Sequence, residues 1–146
     1  MTRFQCYRSS GSRIRWRLLG GNNRVLGVGV LEHPDLASAM REIEELRNSI
    51  AEATFIVDHA ETGQWWWRLG GPRGTVARSA QGFARRVDAE LSANRFRDKA
   101  ATAPTDEALV VFDAGRRGRV VAEREHRSSV RPSAAKSDVW PQRPVG

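Results

Sequence analysis

The chain has 146 residues, of which 40% are hydrophobic and 28% charged, so it fits one globular domain with a modest core. No stretch approaches the roughly 18 apolar residues of a membrane span, and the N-terminus turns polar too early to contain the apolar segment of a signal peptide. We therefore expect a cytoplasmic protein, and its formal net charge of +7 favours anionic partners.

The first strands of the chain show a side-chain period of two. Ile14, Trp16 and Leu18 share one face of a predicted strand, while Arg13 and Arg15 lie on the opposite face, as does Arg17. An apolar inner face and a charged outer face are typical of an antiparallel sheet covered on one side. We expect tight turns where glycine and asparagine supply positive φ angles, namely at Gly11, Asn22-Asn23, Gly63 and Gly70-Gly71.

A helix is predicted from Asp35 to about residue 51. Asp35 follows Pro34 and can cap the helix, and its charge suits the positive end of the helix dipole. Residues three and four apart then form one stripe that is apolar except for Arg47, consisting of Leu36, Met40, Ile43, Leu46, Arg47 and Ile50. We expect this stripe to cover the apolar face of the sheet.

The pattern then recurs 51 residues later. Trp16-Arg17-Leu18 matches Trp67-Arg68-Leu69, and Phe4 matches Phe55 at the same spacing. In the second strand of this copy, Trp65 and Trp67 lie on the apolar face opposite Trp66. A second helix is predicted at roughly 81–96 from Phe83, Val87 and Leu91. These matches predict two tandem β-β-β-α(-β) units, at 1–52 and 53–107.

A partial third copy follows, because residues 55–64 match residues 110–119 at a constant offset of 55. We predict that 108–124 forms a terminal hairpin, and that the Ser-, Arg- and Pro-rich stretch 125–146 is a disordered basic tail. The fold class is therefore α+β, with tandem repeats forming one mostly antiparallel sheet of about eight strands and two helices packed on one face. The expected core comprises Phe4, Trp16, Leu18, Ile43, Phe55, Trp65, Trp67, Phe83 and Val87.

This arrangement resembles the YegP-like family of small prokaryotic domains of unknown function. The resemblance covers residues 3 to about 113 and depends on Trp16-Arg17-Leu18, Asn22-Asn23, Val25 and Ile43. It implies two such units in one shared sheet with exchanged terminal strands, and it implies no activity. The second unit departs from the family pattern, with Pro72-Arg73-Gly74 in place of an Asn-Gly turn, and of a commonly present Ser and Tyr only Ser79 is retained.

No catalytic, cofactor-binding or metal-binding motif is present in the sequence. Cys6 is the single cysteine and is expected to be a buried, inert thiol. His33, His59 and His126 lack metal-ligand spacing. We expect His33 to be exposed in a loop and His59 to be a polar turn residue. We therefore expect neither enzymatic activity nor a small-molecule substrate.

The best functional candidate is the outer sheet face, with Arg13, Arg15, Arg17, Trp66 and Arg68 on strands that we expect to be adjacent. This face suits either an unknown protein partner, including a second copy of the chain, or single-stranded nucleic acid, which uses arginine on phosphates and aromatic rings on bases. Only one aromatic residue is predicted on this face, which favours the protein partner. Since 22 of the 24 basic residues are arginines spread along most of the chain, compositional drift is an equally good explanation for the charge.

Overall fold

The structure, a computed structural model, describes residues 1–9, 11, 13–72 and 74–112, and the backbone of 120–123. Ten regular elements follow one another along these residues, with three strands preceding each helix. They are β1 (Arg3–Ser9), β2 (Arg15–Leu19), β3 (Val25–Gly29), α1 (Leu36–Ser49), β4 (Thr54–His59), β5 (Trp65–Gly71), β6 (Gly74–Arg78), α2 (Arg86–Ala100), β7 (Thr105–Phe112) and β8 (Val120–Glu123).

All eight strands belong to one sheet, in the order β4-β5-β6-β3-β2-β1-β7-β8. Every neighbouring pair is antiparallel except β1 and β7, which run parallel. A parallel pair needs a crossover connection rather than a tight turn, and β7 reaches β1 only after α2 has crossed the sheet. The prediction of an α+β fold with a mostly antiparallel sheet and two helices is confirmed.

One hydrophobic core lies between the sheet and both helices. Trp16 and Trp67 are completely buried in it, and the ring of Phe96 from α2 packs against both, stacked on Trp16 and tilted against Trp67. Most of the expected core residues lie there, with Phe4, Leu18 and Ile43 buried and Phe55 and Phe83 partly buried against them. We call the opposite side of the sheet, which neither helix covers, the open face.

Helix α1 begins where the sequence predicts. Asp35 accepts a hydrogen bond from the backbone N–H of Ser38 at 2.8 Å, which satisfies one of the unpaired donors of the first turn. The α-helix ends at Ser49 and a short 3₁₀ turn, Ile50–Glu52, completes the predicted segment. Leu36, Ile43, Leu46 and Ile50 are buried, as the stripe predicts.

The prediction for the second helix is wrong in both position and register. Phe83 forms a β-bridge with Trp65, with backbone hydrogen bonds of 2.7 and 2.8 Å, so the chain is extended there and α2 begins only at Arg86. Val87 and Leu91 consequently point outward and are 46% and 58% exposed. The buried stripe of α2 consists instead of Ala89, Ala93, Phe96 and Ala100.

One of the predicted turns is also misplaced. Gly11 and Gly63 have φ angles of 81° and 92°, and Asn23 has 64°, as tight turns require. Gly70 and Gly71, however, lie inside β5, because Gly71 pairs with Gly74 and the chain reverses after Gly71. Gly74 carries the positive φ of this turn, at 116°.

Strands β7 and β8 pair antiparallel at one edge of the sheet. Strand β8 lies within the predicted hairpin segment 108–124, and β7 begins at Thr105, shortly before that segment. The predicted tail at 125–146 lies outside the described residues. None of the helices in the described ranges is long and apolar enough to cross a lipid bilayer.

Candidate partner-binding face

Strand pairing places several of the predicted site residues in one row across the open face. Arg68 on β5 is opposite Arg78 on β6, and Arg78 is opposite Val28 on β3. Val28 in turn is opposite Arg17 on β2, which is opposite Gln5 on β1. The predicted residues therefore share one sheet, but the expectation that their strands are adjacent is wrong. Strands β3 and β6 pair at the centre of the sheet and separate β2 from β5.

Arg17 is held rigidly by its neighbours. Its Nε and Nη2 donate to Gln5 Oε1 at 2.9 and 2.7 Å, and its guanidinium lies 4.9 and 5.1 Å from the ring centres of Tyr7 and Phe112. Burial lowers the pKa of Arg17 from its usual value, and the neighbouring Tyr7 opposes this shift. Arg17 thus presents a fixed, partly desolvated charge rather than a mobile one.

Two of the other predicted arginines have carboxylate partners. Arg15 Nη2 lies 3.5 Å from Glu32 Oε2, and Arg68 Nε donates to Asp58 Oδ2 at 3.3 Å. About a quarter of each of these four side chains is exposed. These two ion pairs fix the geometry of their side chains and reduce the free positive charge of the face. Arg13, by contrast, is half-buried, and its Nε has no acceptor among the described residues.

Trp66 lies beside an arginine that the sequence reasoning did not single out. The guanidinium of Arg78 is 5.7 Å from the Trp66 ring, within cation–π range, and its Nη1 donates to the carbonyl of Ser79 at 2.9 Å. Both side chains are half-buried. The alternation of side chains along β6 identifies Arg78 as a residue of the open face. Its neighbour Ala77 is buried in the core, so Arg78 points to the opposite side of the sheet.

A polar network on the helix side corrects the expectation for His33. His33 is 8% exposed rather than solvated, its Nδ1 lies 2.8 Å from Ser38 Oγ, and its Nε2 lies 2.9 Å from Glu42 Oε1. The indole Nε1 of the buried Trp16 donates to the same carboxylate oxygen at 2.6 Å. Glu42 therefore joins a loop, α1 and β2 beneath the sheet. His59 is the last residue of β4 rather than a turn residue: it pairs with Trp65, its ring stacks on the Trp65 ring with centres 4.4 Å apart, and its Nε2 lies 3.1 Å from the carbonyl oxygen of Gly63.

Replacing Glu42 with alanine is expected to lower the free energy of unfolding by about 2–3 kcal/mol, since the Trp16 indole N–H loses its acceptor in the core. Urea unfolding followed by circular dichroism measures this change. Glu45→Ala, on an exposed position of the same helix, is the control and should change stability by less than about 0.5 kcal/mol. Equal effects of the two substitutions would contradict a structural role for Glu42.

Cys6 is buried, as predicted. Burial, with a smaller contribution from the Asp106 carboxylate, raises the pKa of the Cys6 thiol from 9.0 to about 12. A thiol in this setting is a poor nucleophile.

This raised pKa predicts a loss of stability at alkaline pH. Above about pH 9 the unfolded chain releases the Cys6 proton while the folded chain retains it, so deprotonation favours unfolding. The free energy of unfolding should fall by up to about 1.4 kcal/mol per pH unit more steeply in the wild type than in Cys6→Ala. Urea titrations between pH 8 and 10.5 test this, and parallel pH profiles for the two proteins would refute it.

Comparison with known proteins identifies the fold. No protein-family model and no curated protein matches the chain. It is similar to the solution NMR structure of YegP, a protein of unknown function from E. coli, with a TM-score of 0.63 and 16% identity over 79% of this chain and 96% of that one. It is also similar to a UPF0339 protein from Shewanella oneidensis, with a TM-score of 0.63 and 15% identity over 78% of this chain and 93% of that one. The chain has the YegP-like fold, as its resemblance predicts.

Proposed function

We propose that the chain is a non-enzymatic, cytoplasmic protein-interaction module that binds an acidic protein partner on the open face. The observation that carries this proposal is the row of Arg17, Arg78 and Arg68 across four central strands, with Trp66 beside it and both helices on the other side. Arginine and tryptophan are the side chains that most often dominate the binding energy of protein interfaces. Because they are already ordered here, little side-chain entropy remains to be lost on binding.

The contacts within the face favour an acidic protein over nucleic acid. Arg15 and Arg68 are paired with Glu32 and Asp58, which would repel a dense row of phosphates. The faces of Tyr7 and Phe112 are occupied by Arg17, so they offer no open stacking surface for bases. A protein surface with well-spaced carboxylates suits a face of mixed charge. Single-stranded nucleic acid remains the alternative partner.

We further propose that the fold arose from two tandem copies of one unit. Equivalent contacts support this: the Trp16 indole donates to Glu42 on α1, and the Trp67 indole donates to Ser92 on α2 at 2.9 Å. In addition, Arg47 lies over the Phe4 ring and donates to the carbonyl of Ala103. Arg97 lies over the Phe55 ring and donates to the carbonyl of Ala53.

The proposal is tested with two fluorescein-labelled ligands of equal length, a polyglutamate peptide and a single-stranded oligothymidylate, by fluorescence anisotropy. The peptide should bind, and Arg78→Ala or Trp66→Ala should weaken binding about tenfold or more, as for central interface residues. Arg41→Ala, an exposed position on α1, is the control and should leave the affinity unchanged.

Salt dependence separates the two partner classes. Tighter binding of the oligothymidylate, with a steep loss between 50 and 200 mM salt, would favour the nucleic-acid alternative, because phosphate contacts release counterions. Peptide binding that the Arg78 and Trp66 substitutions do not affect would overturn the assignment of the face.

A further inference from the structure

A second surface feature lies on the helix side of the sheet, away from the open face. An open groove of about 510 Å³ runs between α2, the start of β3 and the loop at residues 80–83. Its volume falls within the range of about 300–1,000 Å³ that is typical of small-molecule sites.

Two arginines line the groove. Arg24 immediately precedes β3, and Arg95 immediately precedes Phe96, whose ring packs against β3 at Gly27. Both side chains are exposed, and neither has a carboxylate partner among the residues that the structure describes. The described part of the chain therefore does not neutralise the two positive charges that these arginines bring to the groove.

Among the described residues that line the groove, Asp88 is the single carboxylate, and it already has a partner of its own. Both oxygens of Asp88 accept hydrogen bonds from Arg85, at 3.1 and 3.2 Å. Asp88 is two helical turns, roughly 10 Å along the axis, before Arg95. Because Arg85 already balances its charge, Asp88 does little to offset the charge of Arg24 and Arg95.

The groove also offers an apolar wall and a neutral donor. Leu26 and Phe83 are partly buried, while Leu91 is 58% exposed, one of the largest exposed apolar side chains in the described ranges. Ser92 Oγ accepts the Trp67 indole N–H at 2.9 Å, and its own proton has no acceptor among the described residues. An apolar surface beside two cations and an available hydroxyl donor suits an amphipathic anion.

We propose that this groove binds a small organic anion with an apolar body, such as an aryl or alkyl carboxylate or sulfonate. Arg24, Arg95 and the Ser92 hydroxyl hold the anionic group, and Leu91 contacts the apolar body. The cavity beside Trp16 differs sharply: it is smaller, about 140 Å³, and the described residues that line it include Glu42 and Glu45 but no basic residue. We therefore expect the anion to prefer the groove to that cavity.

The test uses a matched pair of fluorescent probes, 1-anilinonaphthalene-8-sulfonate and N-phenyl-1-naphthylamine, which has nearly the same apolar body without the charge. The sulfonate should bind at least about tenfold more tightly than the neutral probe. Arg24→Gln/Arg95→Gln should raise the Kd of the sulfonate about tenfold and leave that of the neutral probe unchanged. Leu91→Ser should weaken the binding of both probes.

A charge-matched control excludes a general electrostatic effect. Arg41→Gln/Lys99→Gln removes two positive charges at exposed positions outside the groove and should leave sulfonate binding unchanged. An equal loss of sulfonate affinity in this control, or no loss in Arg24→Gln/Arg95→Gln, overturns the proposal. Peptide binding at the open face should be the same in the groove variant and this control, so failure of one proposal does not imply failure of the other.

Discussion

Phe96→Ala is expected to lower the free energy of unfolding by about 3–5 kcal/mol, a large part of the stability of a domain of this size. The Phe96 ring is completely buried between α2 and the sheet, against side chains from both predicted units. Its centre lies 4.9 Å from that of Trp67, 6.3 Å from that of Phe55 and 6.5 Å from that of Trp16. Removing it leaves a cavity that these large rings cannot fill without moving.

Chemical denaturation of Phe96→Ala and Val87→Ala measures this effect and tests the position of α2 at the same time. Val87 lies on the same helix but is 46% exposed, so its truncation should cost less than about 1 kcal/mol. If Val87→Ala proved as destabilising as Phe96→Ala, the helix would have the register that the sequence alone predicts, and the structure of this region would be wrong.

Gly29→Ala is expected to cost about 1–3 kcal/mol, because a Cβ atom at this position would lie 2.5 Å from Cε2 and 2.6 Å from Nε1 of Trp16. The Trp16 ring cannot easily yield, since its indole is bound to Glu42 and its face stacks on Phe96. Gly27 is equally constrained, with the Phe96 ring 2.6 Å from the position of its Cβ. The two glycines of β3 thus allow the aromatic rings to lie directly on the backbone.

Gly70→Ala is the matched control for this prediction. Gly70 is also a strand glycine, but a Cβ atom there would contact nothing within 4 Å, and its φ angle is not positive. The substitution should be neutral or stabilise the protein slightly, by up to about 1 kcal/mol, because alanine restricts the unfolded chain. Thermal unfolding of both variants decides the matter, and similar melting temperatures would refute close ring packing at Gly29.

The elements that the sequence predicts well are those with strong contrast between polar and apolar positions. Helix α1 has a capping aspartate and a stripe of large apolar residues, and β2 alternates arginine with large apolar residues. Helix α2 lacks this contrast, because its buried stripe is mostly alanine while the larger apolar residues Val87 and Leu91 are exposed. Small residues let the helix approach the sheet, a packing effect that hydrophobic periodicity does not register.

The candidate face could be predicted only in part. Period-two alternation correctly places Arg17 and Arg68 on one face of one sheet, but it contains no information on which strands pair at the centre. The pairing of β3 with β6, and the contact of Arg78 with Trp66, depend on long-range register. The burial of His33 likewise depends on tertiary contacts, because its partners Ser38 and Glu42 lie on the following helix.

The most direct test of the proposed function is to map the peptide-binding surface by NMR. Amide and side-chain resonances of the isotopically labelled protein are followed during titration with the acidic peptide. Binding at the open face predicts that shifts concentrate in β2, β3, β5 and β6, with the Trp66 indole and the side-chain Nε–H groups of Arg17 and Arg78 changing most. Shifts confined to α1 and α2, or spread evenly over the surface, would contradict the account.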